Sequence, residues 1–296
     1  MITREEFLAN RRKGIGGSDA AAVLGLSKWK TAYDVFLDKT GQSEPTPDND
    51  AMLWGRLLEP VIRQQYADRT GREVAMPEML TMADKPYIVA NVDGLCADRV
   101  LEIKTARTSK DWGEEGTDEV PMQYFLQCQH YLMVTGKPVA DVAVLIGSAD
   151  FRIYTVEANE KLFGVMQTAY AEFWNNHVLT GTPPEAVSYA DAVARYKQSN
   201  GQSVEATPEI VAALDALADA SEKVKEAEQI EEDLKGKIMS FMGENETLTV
   251  DGLTRVSWKT GKAAERFDSK AFKAAHPDLA AEFTTTSAPS RRFLVK

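Results

Sequence analysis

An aspartate-glycine turn followed by a short alternating strand constrains this chain more than any other feature. The turn is Asp93-Gly94 and the strand is Val100-Leu101-Glu102-Ile103-Lys104. Side chains two apart on a strand share a face, so Glu102 and Lys104 project together while Ile103 turns away. The apolar run Tyr87–Val92 leads into the same turn, which folds Asp93 back beside Glu102. Two carboxylates and an ammonium then converge, or else Glu102 and Lys104 form an exposed charged face of a sheet.

The flanking sequence supplies cover for such a sheet. Residues 1–40 read as short helices around Gly14-Ile15-Gly16-Gly17, and residues 42–50 as a polar, proline-containing loop. A helix is predicted from about Ala51 to Thr70, with Leu53, Leu57, Val61 and Ile62 at helical spacing and Gly71 as its cap. Pro60 should bend or interrupt it. Residues 106–119 read as a mobile polar loop, and Pro121 opens a helix that runs to Gly136. Ala140–Ile146 and Arg152–Val156 form a strand pair, with a helix over 159–179. This order of elements predicts an α/β fold with a central mixed sheet flanked by helices, occupying residues 1–204. Residues 205–296 form a C-terminal extension. Its Thr207-Pro208 helix start precedes a long Ala/Glu/Lys-rich helix, and Asp251-Gly252 marks a β-hairpin.

Composition removes several classes of function. Cys96 and Cys128 are the only cysteines, which excludes a disulfide framework and a four-cysteine metal or iron–sulfur site and suits a reducing cytoplasm. The three histidines are too dispersed for a HExxH zinc site, and there is neither a phosphate-binding GxxxxGK[ST] loop nor a GxGxxG after a strand. The N-terminus has no apolar signal core, and no apolar run reaches the ~18 residues of a membrane span. The net charge of −11 argues against a protein that coats nucleic acid generally. A local basic groove is still compatible with it, since screening confines each patch to about 10 Å.

Asp93 and Glu102 are hard oxygen donors of the kind that suits Mg²⁺ or Mn²⁺. Such an ion polarises a phosphodiester and acidifies water, and Lys104 is placed to orient that water or to neutralise developing charge. Glu59 lies among the apolar residues Leu57, Leu58, Val61 and Ile62, either as a third carboxylate of the site or as a partly exposed helical glutamate. Gln129 falls within the apolar stripe Met122, Phe125, Leu126, Leu132 and Met133. Its amide reaches the catalytic carboxylates or ties down a backbone group. Cys128 and His130 read as structural. Arg11 to Ser18 is either a phosphate-gripping turn or a basic surface run with Ser18 as the cap of a helix over Asp19–Leu24. Arg99, Arg107 and Lys110 are placed to track a phosphate backbone. Trp112 either stacks on a base or packs.

Taken in order, Arg11-x-x-Gly14-Ile15-Gly16-Gly17-Ser18-Asp19, Gly55-Arg56-Leu57-Leu58-Glu59-Pro60, Asp93-Gly94, Glu102-Ile103-Lys104 and Gln127-Cys128-Gln129 resemble the YqaJ-type viral recombinase family. These are phage exonucleases of the lambda type within the PD-(D/E)XK nuclease superfamily. The resemblance spans roughly residues 1–180. It implies a Mg²⁺-dependent enzyme that digests linear double-stranded DNA from 5′ ends and leaves 3′ overhangs. It also implies a ring-shaped trimer that hands single strands to an annealing protein in the host cytoplasm. Asp93, Glu102 and the Ile103 backbone carbonyl would hold metal, Lys104 would be the catalytic lysine, and Glu59 and Gln129 would assist. Arg11 and Ser18 would hold the 5′-phosphate, and Arg107 would contact the DNA. Val92 stands where the superfamily has proline before the aspartate. The rival expectations are an endonuclease on branched or nicked DNA, and a non-catalytic DNA-end-binding module.

Overall fold

The computed structural model describes residues 9–43, 48–263, 265–286 and 290–295. The expected helical start of residues 1–8, the centre of the 42–50 loop at 44–47, and Lys296 of the basic tail lie outside the described residues. The chain divides into two units, Met1–Tyr196 and Lys197–Lys296.

The first unit is built on the expected mixed sheet, of four strands: β3 (Gly94–Leu95), β4 (Arg99–Ala106), β5 (Val139–Ile146) and β6 (Asp150–Glu157), in that order. β4 and β5 are parallel, and the other pairs are antiparallel. A parallel neighbour requires a crossover, which the helix Met122–Thr135 provides. A smaller antiparallel pair, β1 (Leu80–Met82) and β2 (Lys85–Ala90), precedes the sheet. The tight turn onto β4 depends on Gly94. A Cβ there would stand 2.5 Å from a Val74 methyl and 3.2 Å from Leu101.

The two faces of β4 meet different helices. Leu101 and Ile103 pack with Ile62 and Tyr66 of the helix Asp50–Thr70. Val100 packs on the other side with Cys128, Tyr131 and Leu132 of the helix Met122–Thr135. The result is a helix–sheet–helix sandwich around β4.

Both helices differ from their sequence reading. On Asp50–Thr70 the buried face is Leu58, Ile62 and Tyr66, whereas Leu53, Leu57 and Val61 are 43, 55 and 61% exposed. The helix carries apolar residues on two faces, and tertiary contact selects one of them. Pro60 does not interrupt it. Its missing N–H forfeits one bond to the Arg56 carbonyl, but a full turn or more of helix on either side holds the run. Met122–Thr135 is buried on every side from Leu126 to Met133, so it has no single apolar stripe. Gly71 and Gly136 end the two helices in the left-handed region, at φ 68° and 66°.

The glycine run 14–17 is held by close packing. Ile15 donates to the Tyr87 carbonyl and its own carbonyl accepts from Val89, so the run lies alongside β2. A Cβ on Gly14 would stand 2.7 Å from the Tyr87 oxygen, and one on Gly17 2.6 Å from the Tyr131 ring. A 3₁₀ turn, Gly17–Asp19, then enters the short helix Ala20–Val23. Ser18 does not cap it, because Asp19 reaches back to the Gly16 N–H instead.

The second unit holds a 35-residue helix, Pro208–Met242, capped by the Thr207 hydroxyl as expected. A hairpin follows, β7 (Thr247–Val250) with β8 (Leu253–Ser257), turned at Asp251 and Gly252 with φ of 50° and 78°. Two short helices, Ser269–Ala275 and Pro277–Glu282, complete the described part. Among the described residues no helix is long and apolar enough to cross a membrane.

Candidate active site on the central strand

β3 pairs with β4 only at Gly94–Leu101 and Leu95–Val100. From Glu102 onward that edge of β4 has no partner strand. Asp93 precedes Gly94 and so falls opposite Glu102, where its carboxylate accepts the free Ile103 N–H at 2.8 Å. The N–H and C=O of one strand residue face the same edge. The Ile103 carbonyl therefore points to the side that Asp93 occupies.

Glu102 itself is fully buried and pairs with Lys104 through Oε1. Its second oxygen, Oε2, is buried with no hydrogen-bond partner. Burial, reinforced by the neighbouring Asp93 carboxylate and only partly offset by Lys104, pushes the Glu102 carboxyl up to about 8. Lys104 shows the mirror image. Burial disfavours its charge, but Glu102 and Asp93 outweigh burial and raise it. Its ammonium also lies 4.9 Å over the Tyr124 ring.

Glu59 reaches the same place from the helix Asp50–Thr70. It pairs with Arg63 one turn on, and Arg63 donates through Nε to the Asp93 carbonyl at 2.9 Å. Burial and then Asp93 raise the Glu59 carboxyl, against Arg63 and Lys104. The fold thus gathers Asp93, Glu102, Lys104 and Glu59, with the Asp93 carboxylate raising both glutamates beside one lysine. Among the described residues no three Asp, Glu, His or Cys side chains stand close enough to cage a metal ion. The donors still suit a divalent cation. The orphaned Glu102 oxygen lacks a positive partner, the ligand atoms are hard oxygens, and the mutual repulsion is of the kind a cation relieves.

Gln129 is placed elsewhere. Its amide donates to the Glu157 carbonyl at 2.7 Å and accepts from the Asn159 N–H at 2.9 Å, which ties β6 to the next helix. Sequence reasoning quoted Gln127 in a motif without giving it a role, and it passed over Tyr131. Gln127 donates to the Tyr131 hydroxyl at 2.9 Å, and burial, then Glu102 and Asp93, drive that phenol well above its usual range. A Gln and a Tyr one turn apart, on the same helix as Gln129, are the signal that could have found them. Cys128 is buried, and His130 bridges the Val89 carbonyl and the Tyr170 hydroxyl.

Arg11 and Ser18 are brought together, with Arg11 donating to the Ser18 hydroxyl at 3.1 Å. Two backbone amides of the run beside them are spent, Ile15 on Tyr87 and Gly16 on Asp19. Arg99 is taken up by Asp98 and Asp141. Arg107 and Lys110 are exposed beyond the end of β4. Trp112 packs between Tyr124 and Tyr154, at 5.7 and 5.2 Å between ring centres.

The chain is similar to known proteins. The model of the YqaJ-like viral recombinase domain matches residues 6–138. The uncharacterized protein YqaJ of Bacillus subtilis (strain 168) is 33% identical over 292 residues, which covers 94% of this chain and 90% of that protein. Among solved structures, an alkaline exonuclease from Laribacter hongkongensis, LHK-Exo, matches at a TM-score of 0.50 and 19% identity, over 60% of this chain and 94% of that one. The same enzyme in complex with dAMP matches at 0.50 and 21%, with the same coverage. At these identities the structures show a shared fold, while the kinship with YqaJ extends along nearly the whole chain. The chain belongs to the YqaJ-like viral recombinase family.

Proposed function

We propose that the protein is a phage-type, Mg²⁺-dependent double-strand DNA exonuclease working from 5′ to 3′ and leaving 3′ overhangs for single-strand annealing. The observation that carries this reading is the fully buried Glu102 with its unpartnered oxygen, set beside Asp93 and Lys104 on the open edge of β4. Family membership supports it, as does a shared fold with an alkaline exonuclease that binds dAMP.

Asp93, Glu102 and the Ile103 carbonyl would hold Mg²⁺, with Mn²⁺ as a substitute. When bound, the ion supplies charge neutralisation at the scissile phosphate and an acidified attacking water. Lys104 keeps its proton, orients the nucleophile and offsets the negative charge that grows on the phosphoryl oxygens. Glu59 holds Arg63 against the Asp93 carbonyl and so steadies the turn. Gln129 assists indirectly by fixing the helix Met122–Thr135 to β6. Arg11 and Ser18 receive the terminal 5′-phosphate, and Arg107 follows the duplex. The nuclease occupies residues 1–204. Residues 205–296 form an arm for an annealing partner or for assembly of a homotrimer.

The test is a linear duplex labelled separately at its 5′ and 3′ ends, incubated with Mg²⁺ or EDTA beside a covalently closed circle. The reading expects metal-dependent loss of the 5′ label first and an intact circle. A cut circle would replace it with an endonuclease. No cleavage under any metal would replace it with a DNA-end-binding module.

A further inference from the structure

The long helix of the second unit, Pro208–Met242, is exposed at every residue from Pro208 to Phe241. At about 1.5 Å per residue it extends about 50 Å. Its apolar residues recur with a strict period of seven. Ile210, Leu217, Val224, Glu231 and Ile238 occupy one position of the repeat, a. Ala213, Ala220, Ala227, Leu234 and Phe241 occupy the other, d. Glu231 is the single polar residue in this seam. The acids Asp215, Asp219, Glu222, Glu226 and Glu232 fall on the outer positions b, c and f. A straight helix drifts about 20° per heptad away from such a repeat. A stripe kept for five heptads is therefore matched to a supercoiled partner helix rather than to a flat surface.

The seam complements itself in one direction only. In a parallel pair Glu231 would meet Glu231 of a second copy, two like charges in one layer. Each of the three alanines would meet its own copy and leave the layer underfilled. In an antiparallel pair at full overlap, each a position faces a d position counted from the other end. Glu231 then faces Ala220, Ile238 faces Ala213, and Val224 faces Ala227. Every alanine is set against a longer side chain, and the like-charged layer disappears. Leu217 faces Leu234, and Ile210 faces Phe241.

We propose that Pro208–Met242 pairs with the same helix of a second copy of this chain, as an antiparallel two-stranded coiled coil. The proposal rests on the reading of residues 205–296 as an arm, but not on the nuclease site. A two-fold pair cannot close a ring of three, so this contact is separate from any trimer that the first unit forms. The helix carries nine acids and four bases, so self-pairing tightens as salt screens the repulsion between the copies. A basic partner helix would show the opposite salt dependence.

The experiment is disulfide trapping in the full chain. Cys96 and Cys128 are buried, so thiols introduced on the helix report its contacts. Leu217→Cys and Leu234→Cys chains are co-expressed, oxidised mildly and run on a gel without reductant, beside each variant by itself. The mixture gives a cross-linked dimer and the single variants do not, because antiparallel pairing sets the two copies of residue 217 about 25 Å apart along the axis. The yield rises with salt. Ala220→Lys sets a lysine against Glu231 of the second copy and keeps the cross-link, whereas Ala227→Lys, against Val224, cuts it at least about tenfold. Both alanines are exposed and lysine is a good helix former, so circular dichroism stays native in each. A cross-link in either single variant, none in the mixture, a yield that falls with salt, or equal loss from the two lysine variants would overturn the proposal. A cross-link in a chain that cleaves no DNA would remove the nuclease reading and leave this one standing.

Discussion

Asp19 and Glu102 are both fully buried carboxylates, yet their surroundings are opposite. Burial works against the charge on Asp19, but Lys39, Lys30 and Arg11 hold its carboxyl well below the usual range. Glu102 has one lysine, a second carboxylate beside it and an oxygen with no partner, and its carboxyl rises to about 8. The protein completes the first anion with its own cations and leaves the second short of positive charge. A buried acid that is already neutralised reads as architecture, and one that is not reads as a site waiting for a ligand.

The comparison breaks first at Lys104. Lys104→Ala should lower Mg²⁺-dependent cleavage by about a hundred- to a thousandfold, the scale of a lost charge-stabilising group, while circular dichroism stays native. A folded variant with normal turnover would remove Lys104 from the chemistry. Next comes a reciprocal pair of substitutions. Asp19→Asn takes from buried Lys39 its nearer carboxylate, leaving Asp38 at 3.4 Å, and should cost about 3 kcal/mol in urea unfolding. Glu102→Gln removes a charge the metal-free fold accommodates poorly, and should leave stability at pH 8 equal or higher. Equal losses from both would erase the distinction.

Titration sharpens it further. The Glu102 pKa is raised on folding, so between its unfolded value near 4.5 and about 8 the native state binds the extra proton. Metal-free stability must therefore fall as pH rises through that window, by at most about 1.4 kcal/mol per unit. His130 has the opposite sign. Burial lowers it to about 4, so its contribution is complete above 6.5 and is lost as pH falls toward 4. Urea midpoints of wild type, Glu102→Gln and His130→Gln between pH 4 and 8.5 separate the two slopes. The smallest expected effect is that of ending the chain at residue 204. With an independent core in the first unit, cleavage of linear duplex should change by no more than about twofold. A collapse in activity would place part of the site's support in the extension.

The sequence made β4 legible because its pattern is local. Period-two alternation places Glu102 with Lys104, and an Asp-Gly turn returns Asp93 to them. The helices at 50–70 and 122–135 were legible as elements, down to the capping glycines. Their orientation was not, since Leu53 and Leu57 are as apolar as Leu58 and Ile62, and only packing on β4 chooses between them. The Asp19 cluster was hidden for a related reason. Asp19, Lys30 and Lys39 stand on three separate segments, and no periodicity links a buried acid to cations 11 and 20 residues away. Gln129 and Gln127 illustrate the limit within one helix. Both are buried amides, but Gln129 serves a strand end while Gln127 donates to the Tyr131 hydroxyl.

The central claim is that Glu102 is a carboxylate held for a cation. Calorimetric titration of the metal-free protein with Mg²⁺ at pH 7, in buffers of different ionisation enthalpy, tests it most directly. The account predicts binding accompanied by release of a substantial fraction of one proton, as the ion drives Glu102 to its charged form, and loss of that release in Glu102→Gln. Mg²⁺ binding without proton release, or with equal affinity in Glu102→Gln, would contradict it.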